Sequence, residues 1–500
     1  MKGKNKKKND NAVKTAKSTN RLVKFWVFGG ITLIGLGIAA GGVAIAQRQV
    51  YKNAMSKVYT VEFDSNSDSI KGVRKDDAVG MVAGINGAKN DFDNVYPWKA
   101  IKDVTDENGD VFVRIPKYYV KNTLVEAGKF TISISPEARK GYHIAPAFAR
   151  EENGEMVISD YIDVGKYEAS LTEDQHLKSV SGVYPMVDEL NISEARTIAE
   201  ADGNELFDWR QNLAVQTLFM VEFATPDSQG LMSGLTQGLY YKHVLTADDI
   251  AAKKIKTIPV VAAGSNLMDS TTDKVKFIKA NTGRVDIKMD HPSDDEDEVF
   301  NYKASNLKAT GVMLNEEEND IASITLEKEL NVEKMEVGEE VNIWFGAGFY
   351  HKTGEADNAK GSSNGASQKS NEVKAMSYRG IENWYGNTFT LIDGLFSRTV
   401  ESEDTIFVSN NPKNHGDRES YIALTQENTI KEFALYEFDA TSEDEPWLYD
   451  YYNIYFDAET DMIGGIGGGF DRNADGGIFC LGVHFAAATR QASFRIASTN

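Results

Sequence analysis

The fold turns on two strings. One is Tyr378-Arg379-Gly380-Ile381-Glu382-Asn383-Trp384-Tyr385-Gly386-Asn387; the other runs from Gly467-Gly468-Gly469-Phe470-Asp471-Arg472 to Gly476-Gly477-Ile478-Phe479. Between and around them aromatic residues accumulate: Trp447, Tyr449, Tyr451, Tyr452, Tyr455 and Phe456. Large rings with few torsions lose little entropy on contact, so an aromatic-rich, rigidly held surface suits binding. Asp471-Arg472-Asn473-Ala474-Asp475-Gly476 matches the first half of a calcium loop, D-x-N-x-D-G. Its twelfth position is Gly482, where a bidentate acid is required, so a glycine-rich loop is the better reading than a metal centre.

Working back from Tyr378, residues 353–374 form a low-complexity stretch expected to be a mobile loop. Before it, residues 250–350 alternate short β-like runs with polar turns. The runs are Thr257–Val261, Lys274–Ile278, Ile321–Leu326 and Val341–Phe345, and they predict a small β-barrel or sandwich inserted at 241–352. The acidic runs Asp294–Glu298 and Glu316–Glu318 read as solvated loops. Two helices are expected upstream, Ser193–Ala201 and Asn212–Thr225. The second is apolar almost all round, with Glu222 its one charge, which predicts burial on most sides. Asp106–Asp110 precedes the alternating run Val111–Ile115 and reads as a hairpin turn; an EF-hand loop would need glycine where Val111 stands.

The N-terminus is of another kind. The net charge of the 500 residues is −21, yet residues 1–24 hold eight lysines and Arg21 against Asp10, a net of +8, which leaves −29 for the rest. Phe25–Ala46 follows with 22 uncharged residues. As a helix it would span roughly 33 Å, enough for a hydrocarbon core of about 30 Å. Lysines before it and acids after it predict a single-pass anchor, with a cytoplasmic tail at 1–24, a transmembrane helix at 25–46, a polar stalk at 47–56 and the body outside. A cleaved signal peptide ending at Ala44-Ile45-Ala46 is the alternative, although the apolar run exceeds the roughly 7–15 residues usual there. Gly37 and Gly41 make a small-xxx-small pair that would suit a homo-oligomer.

Composition removes several functions. Cys480 is the sole cysteine, which excludes intrachain disulfides and cysteine-ligated zinc, and the acidic balance argues against nucleic acid. His143, His176, His243, His291, His351, His415 and His484 are scattered without zinc-ligand spacing. No nucleophile elbow, phosphate loop or dinucleotide fingerprint follows a strand. Neither an enzyme nor a cofactor is expected.

A set of strings in order resembles the C-type-lectin-fold proteins of phage tails and of retroelement-diversified variable proteins, distant relatives of the formylglycine-generating enzymes. They are Asn90-Asp91-Phe92-Asp93 with Tyr96-Pro97-Trp98, Arg114-Ile115-Pro116-Lys117-Tyr118-Tyr119, Gly141-Tyr142 with Pro146-Ala147-Phe148, Val164-Gly165-Lys166-Tyr167-Glu168-Ala169-Ser170 and Val221-Glu222-Phe223-Ala224-Thr225. Tyr378–Asn387, Ile392-Asp393-Gly394, Gly468-Gly469-Phe470, Gly477, Phe479 and Phe494-Arg495 complete the set. The family commonly has tryptophan where Phe470 stands, and its enzyme branch binds copper through a cysteine pair that this chain lacks.

The resemblance implies an α+β, C-type-lectin-like fold over 57–240 and 375–500, carrying the inserted all-β module and the N-terminal transmembrane helix. It implies a surface protein, of receptor or adhesin type, whose C-terminal segment contacts a protein or glycan on another surface. The ligand-contacting candidates are Phe470, Asp471, Arg472, Cys480, Gly482, His484, Phe485, Thr489 and Arg490. The buried framework would be Gly468, Gly469, Gly477, Phe479, Leu481, Phe494 and Arg495. A phage or prophage virion protein recognising a host receptor is the alternative.

Overall fold

Helix Trp209–Phe223 begins where a capping box allows it: Asp208 accepts from Gln211 N, and the Gln211 side chain accepts from Asp208 N. It ends at Ala224 in the left-handed conformation. Fourteen of its fifteen residues are buried, so it is packed on nearly every side. The Trp98 indole donates to Leu218 O at 3.3 Å and the Tyr118 hydroxyl to Ala214 O at 2.7 Å. The other expected helix, Ile192–Ala201, is capped by Asn191 with Glu194 closing the box.

A computed structural model describes residues 51–67, 69, 71–126, 128–152, 155–185, 190–232, 234–236, 238–263, 271–280, 283, 285–291, 300–315, 320–346, 350–357, 375–409, 415–416, 421–424, 451–469, 476–485 and 492–499. Val58–Asn500 is one compact unit, and residues up to Lys57 belong to another. Residues 51–55, expected in a polar stalk, are helical.

Among the described residues sheets dominate, with 45% strand against 16% helix, which corrects the α+β class to a predominantly β fold. The reason lies in the length of the apolar runs. Most are strand-length and pair with one another, and among the described residues only Trp209–Phe223 buries itself as a full helix. Among the described residues no helix is long and apolar enough to cross a membrane. Segment 25–46 lies outside the described residues, and the single-pass membrane placement is not retained.

Three sheets build the framework around the central helix. The first runs Val73–Asp76, Tyr59–Asp64, Lys129–Ser135, Tyr119–Glu126, His143–Ile144. The second runs Glu205–Leu206, Ile496–Thr499, Tyr161–Gly165, Val111–Pro116, Lys102–Thr105, so the end of the chain pairs into the N-terminal part. The third runs Tyr421–Ala423, Glu403–Ser409, Phe389–Val400, Met462–Ile466, Cys480–Phe485, Tyr451–Ile454, with Ala492–Ser493 parallel to Phe389–Thr390. The turn before Val111 is the expected one: Asp106 Oδ1 accepts from Asn108 N and Asp110 N at 2.9 and 2.8 Å.

The module has its own apolar core. One sheet holds Val261–Ala262, Gly238–Val244, Glu340–Gly346, Val285–His291 and Phe300–Leu307; the other holds Lys254–Pro259, Asp320–Asn331 and Ala309–Asn315. Leu239, Tyr241, Ile258, Ile287, Ile324, Ile343 and Phe345 fill the space between them. It is not all-β. Lys274–Ile278, read as a strand, lies in helix Thr271–Ala280. Its alternation stops at Phe277 and Ile278, adjacent residues that are both buried, as one helix face allows and a half-buried strand does not. Helix Ala247–Ala252 is a second exception. The acidic runs at 294–298 and 316–318 lie outside the described residues.

Candidate functional site

Strand Cys480–Phe485 carries four of the nine ligand-contacting candidates; Phe470, Asp471, Arg472, Thr489 and Arg490 lie outside the described residues. Of the four, Cys480 and Phe485 are buried at 1% and 6% exposure, and Gly482 is buried too. The register shifts between Ile463 and Gly464, so Ile463 faces Phe485 while Gly464 faces Val483. That bulge lets Leu481 and Val483 enter one core cluster while Cys480 and Phe485 enter another. Only His484 reaches solvent. Its ring stacks on Phe485 at 4.3 Å and lies over Gly482, where an added Cβ would stand 2.5 Å from His484 Cε1. Cys480, Gly482 and Phe485 therefore build the strand, and His484 is the one described candidate that is not buried.

The residues that flank the candidate segments are fixed from several directions. Gly468, Gly469, Gly477, Phe479, Leu481, Phe494 and Arg495 are all buried. Gly386 N donates to Gly468 O at 2.9 Å, and Gly477 N to Gly467 O at 3.1 Å. The Arg495 guanidinium, wholly enclosed, donates to four carbonyl oxygens: Gly165 at 2.8 Å, Lys166 at 3.1 Å, Glu382 at 2.8 Å and Asn383 at 3.1 Å. Burial pulls its pKa down to about 10, although Glu168 and Glu382 act in the other direction.

Those two carboxylates belong to the strings that carry the family resemblance. Glu168 accepts from Thr388 N at 3.1 Å, from the Thr388 hydroxyl, and from the amides of Asn387 and Asn383 at 2.5 and 3.2 Å. Glu382 accepts from Gly354 N and Ala356 N, each at 2.7 Å. Burial raises both, Glu382 to about 8. Deeper, Glu222 meets Arg379 Nε at 3.0 Å and also bonds to Arg379 Nη2, and it accepts from Asn90 Nδ2 at 2.7 Å and from the Tyr378 hydroxyl at 3.0 Å. At the other end of the helix Asp393 holds Arg196 bidentately at 2.8 Å, and His415 Nε2 lies 3.2 Å from Asp208. Burial opposes charge on both Asp393 and His415, yet His415 and Arg196 keep Asp393 low, while Asp393 and Asp208 push His415 up.

These groups tie one string to another. They are enclosed, and no group of three or more His, Cys, Asp or Glu side chains among the described residues has the arrangement to hold a metal ion. Trp384 and Tyr385, the aromatics of the first string, are buried at 1% and 0% and spend their polar atoms inside: the Trp384 indole on Asn212 at 2.9 Å, the Tyr385 hydroxyl on Ser228 O at 3.0 Å. Tyr455 stands out at 57% exposure. Sequence reasoning missed the residues that join the module to the framework, Asn387, His351 and Asp286. A histidine alone in its neighbourhood gave no signal. No protein-family model matches this sequence, and no curated protein matches it.

Proposed function

We propose that the chain is a binding protein that presents residues of its C-terminal segment, 470–490, to a protein or glycan on another surface. The enclosed polar groups serve the frame and carry no catalysis. One observation supports this reading above the others: both flanks of the segment are pinned, by Gly467–Gly469 on one side and by Phe494 and the fourfold-bonded Arg495 on the other. A frame anchored in this way tolerates changes at those positions between its anchors that it does not bury, which a surface that must vary or adapt requires.

The test compares two groups of alanine variants for thermal stability and for binding to a glycan array and to purified cell-surface proteins. Asp471, Arg472, His484 and Arg490 form the first group; their loss should cost within about 0.5 kcal/mol of stability, while an interface anchor among them should cost about 2 kcal/mol or more of binding. Phe479 and Phe494, buried at 3% and 0%, form the second. Their loss should cost roughly 3–5 kcal/mol of stability and touch binding only through misfolding. If the polar variants melt as badly as the aromatic ones, the segment is scaffold and the reading falls.

A further inference from the structure

Both ends of the module meet on one framework residue. Where the chain enters the module, Asn387 N donates to Leu235 O at 2.8 Å. Where it returns, the Asn387 amide oxygen accepts from His351 N, and the amide nitrogen donates to His351 O at 3.2 Å and to Glu168 at 2.5 Å. Asn387 has φ of +67°, a region that asparagine enters more readily than most residues. Its neighbour Gly386 must be glycine: with φ of +78°, an added Cβ would lie 2.7 Å from Leu235 N. Beyond His351 the chain stays bound to the framework. Thr353 Oγ1 donates to Val180 O at 2.7 Å, and Asp357 accepts from the hydroxyls of Tyr167 and Ser181 at 2.5 and 2.7 Å. Together with the Gly354 and Ala356 bonds to Glu382, these make residues 351–357 a strap, whereas 353–374 was expected to be a mobile loop; 358–374 lie outside the described residues.

The His351 ring faces the other way. Its Nε2 lies 2.8 Å from Asp286 Oδ2, and its Nδ1 lies 3.1 Å from Glu355 Oε1. Asp286 belongs to module strand Val285–His291, directly opposite Trp344. His351 and Asp286 are 1% and 0% exposed. A polar contact so enclosed resists sliding, because any displacement leaves a carboxylate without its donor in a medium that cannot solvate it.

We propose that His351 is a positioning residue that sets the angle of the module on the framework. The strap and Asn387 hold the main chain, and the imidazole reaches across to Asp286 and prevents the module from pivoting about its stem. Without that contact the module swings as a folded body. This inference does not depend on the ligand-display reading.

The test is the spread of distances between two spin labels on the full chain, in a Cys480→Ala background. Val79→Cys on the framework and Met313→Cys on the module place the labels at positions 66% and 64% exposed. The parent should give a narrow distribution. His351→Ala should at least double its width with the far-ultraviolet circular dichroism unchanged, and Asp286→Ala should do the same from the module side. His351→Gln, which keeps a donor, should fall between. An unchanged width in both alanine variants overturns the proposal. If His351→Ala fails to fold, Asp286→Ala decides, since it leaves the strap and Asn387 intact. If both unfold, the contact serves stability and the proposal also fails.

Discussion

At the centre of the framework Glu222, in the last turn of helix Trp209–Phe223, meets Arg379, and Asn90 and Tyr378 also bond to its carboxylate. At the centre of the module stand Ile258, Ile287, Ile324, Ile343 and Phe345, none more than marginally exposed. Both regions are packed, but they hold their strands by different means. Apolar contact is non-directional and rewards any arrangement that fills the space. An enclosed ion pair stabilises little by itself, because desolvation offsets much of the attraction, yet it penalises every arrangement that separates its members. The framework must bring together segments far apart in the chain, such as Asp93 with Arg379, 286 positions on. The module joins distant strands as well, Gly238–Val244 with Glu340–Gly346, but does so around an apolar core.

The largest expected effect follows from that contrast. Arg379→Met keeps the bulk and removes the charge, leaving Glu222 enclosed without its cation, which should cost about 3–5 kcal/mol. Urea unfolding of the full chain measures it. If the cost is no larger than that of an ordinary core truncation in the module, the ion pair does not hold the framework and the contrast loses its basis.

Acidity should separate the regions next. Burial raises Glu382 from 4.5 to about 8 and raises Glu168 as well, and His415 is raised from 6.5. In each case the folded chain binds more protons than the unfolded chain within the shifted window. Stability should therefore fall as pH rises from about 5 to 8, by at most about 1.4 kcal/mol per pH unit for each group. Asp393, held low, contributes the opposite slope only below its ordinary 3.8. Glu382→Gln should flatten the profile between pH 5 and 8, whatever it does to stability at any single pH. A slope unchanged by that substitution would place the proton uptake elsewhere.

How well each region reads from sequence follows from the same physics. Three of the four module runs fall on strands because period-two alternation is local, and Lys274–Ile278 failed because five residues are too few to tell two periods apart. The helix around Glu222 and the turn at Asp106–Asp110 were legible for the same local reason. The framework strings gave an order but no contacts. Nothing local tells Asn387 that it will meet Glu168, 219 positions away, or tells His351 that it will meet Asp286. On the candidate strand, the resemblance alone put Cys480 and Gly482 among the ligand-contacting residues; packing against the neighbouring strands, which the strings do not reveal, encloses both.

The smallest effect is the most discriminating. Ile287→Val removes one methylene from a fully enclosed module side chain and should cost about 0.5–1.5 kcal/mol. What matters is where that cost appears. If the module opens while the framework stays closed, native-state hydrogen exchange should show protection falling roughly 2- to 13-fold at strands Gly238–Val244, Val285–His291 and Glu340–Gly346, since 1.4 kcal/mol is about a factor of ten. Amides of Tyr161–Gly165 and Ile496–Thr499, which pair across the framework, should keep their protection. The module has a core of its own and, among the described residues, is tied to the framework by Leu235, Asn387 and the strap, so it can open while the framework's own bonds hold. Equal loss at every amide would mean that the two regions unfold as one, and that their different ways of holding strands together make no difference to how the chain comes apart.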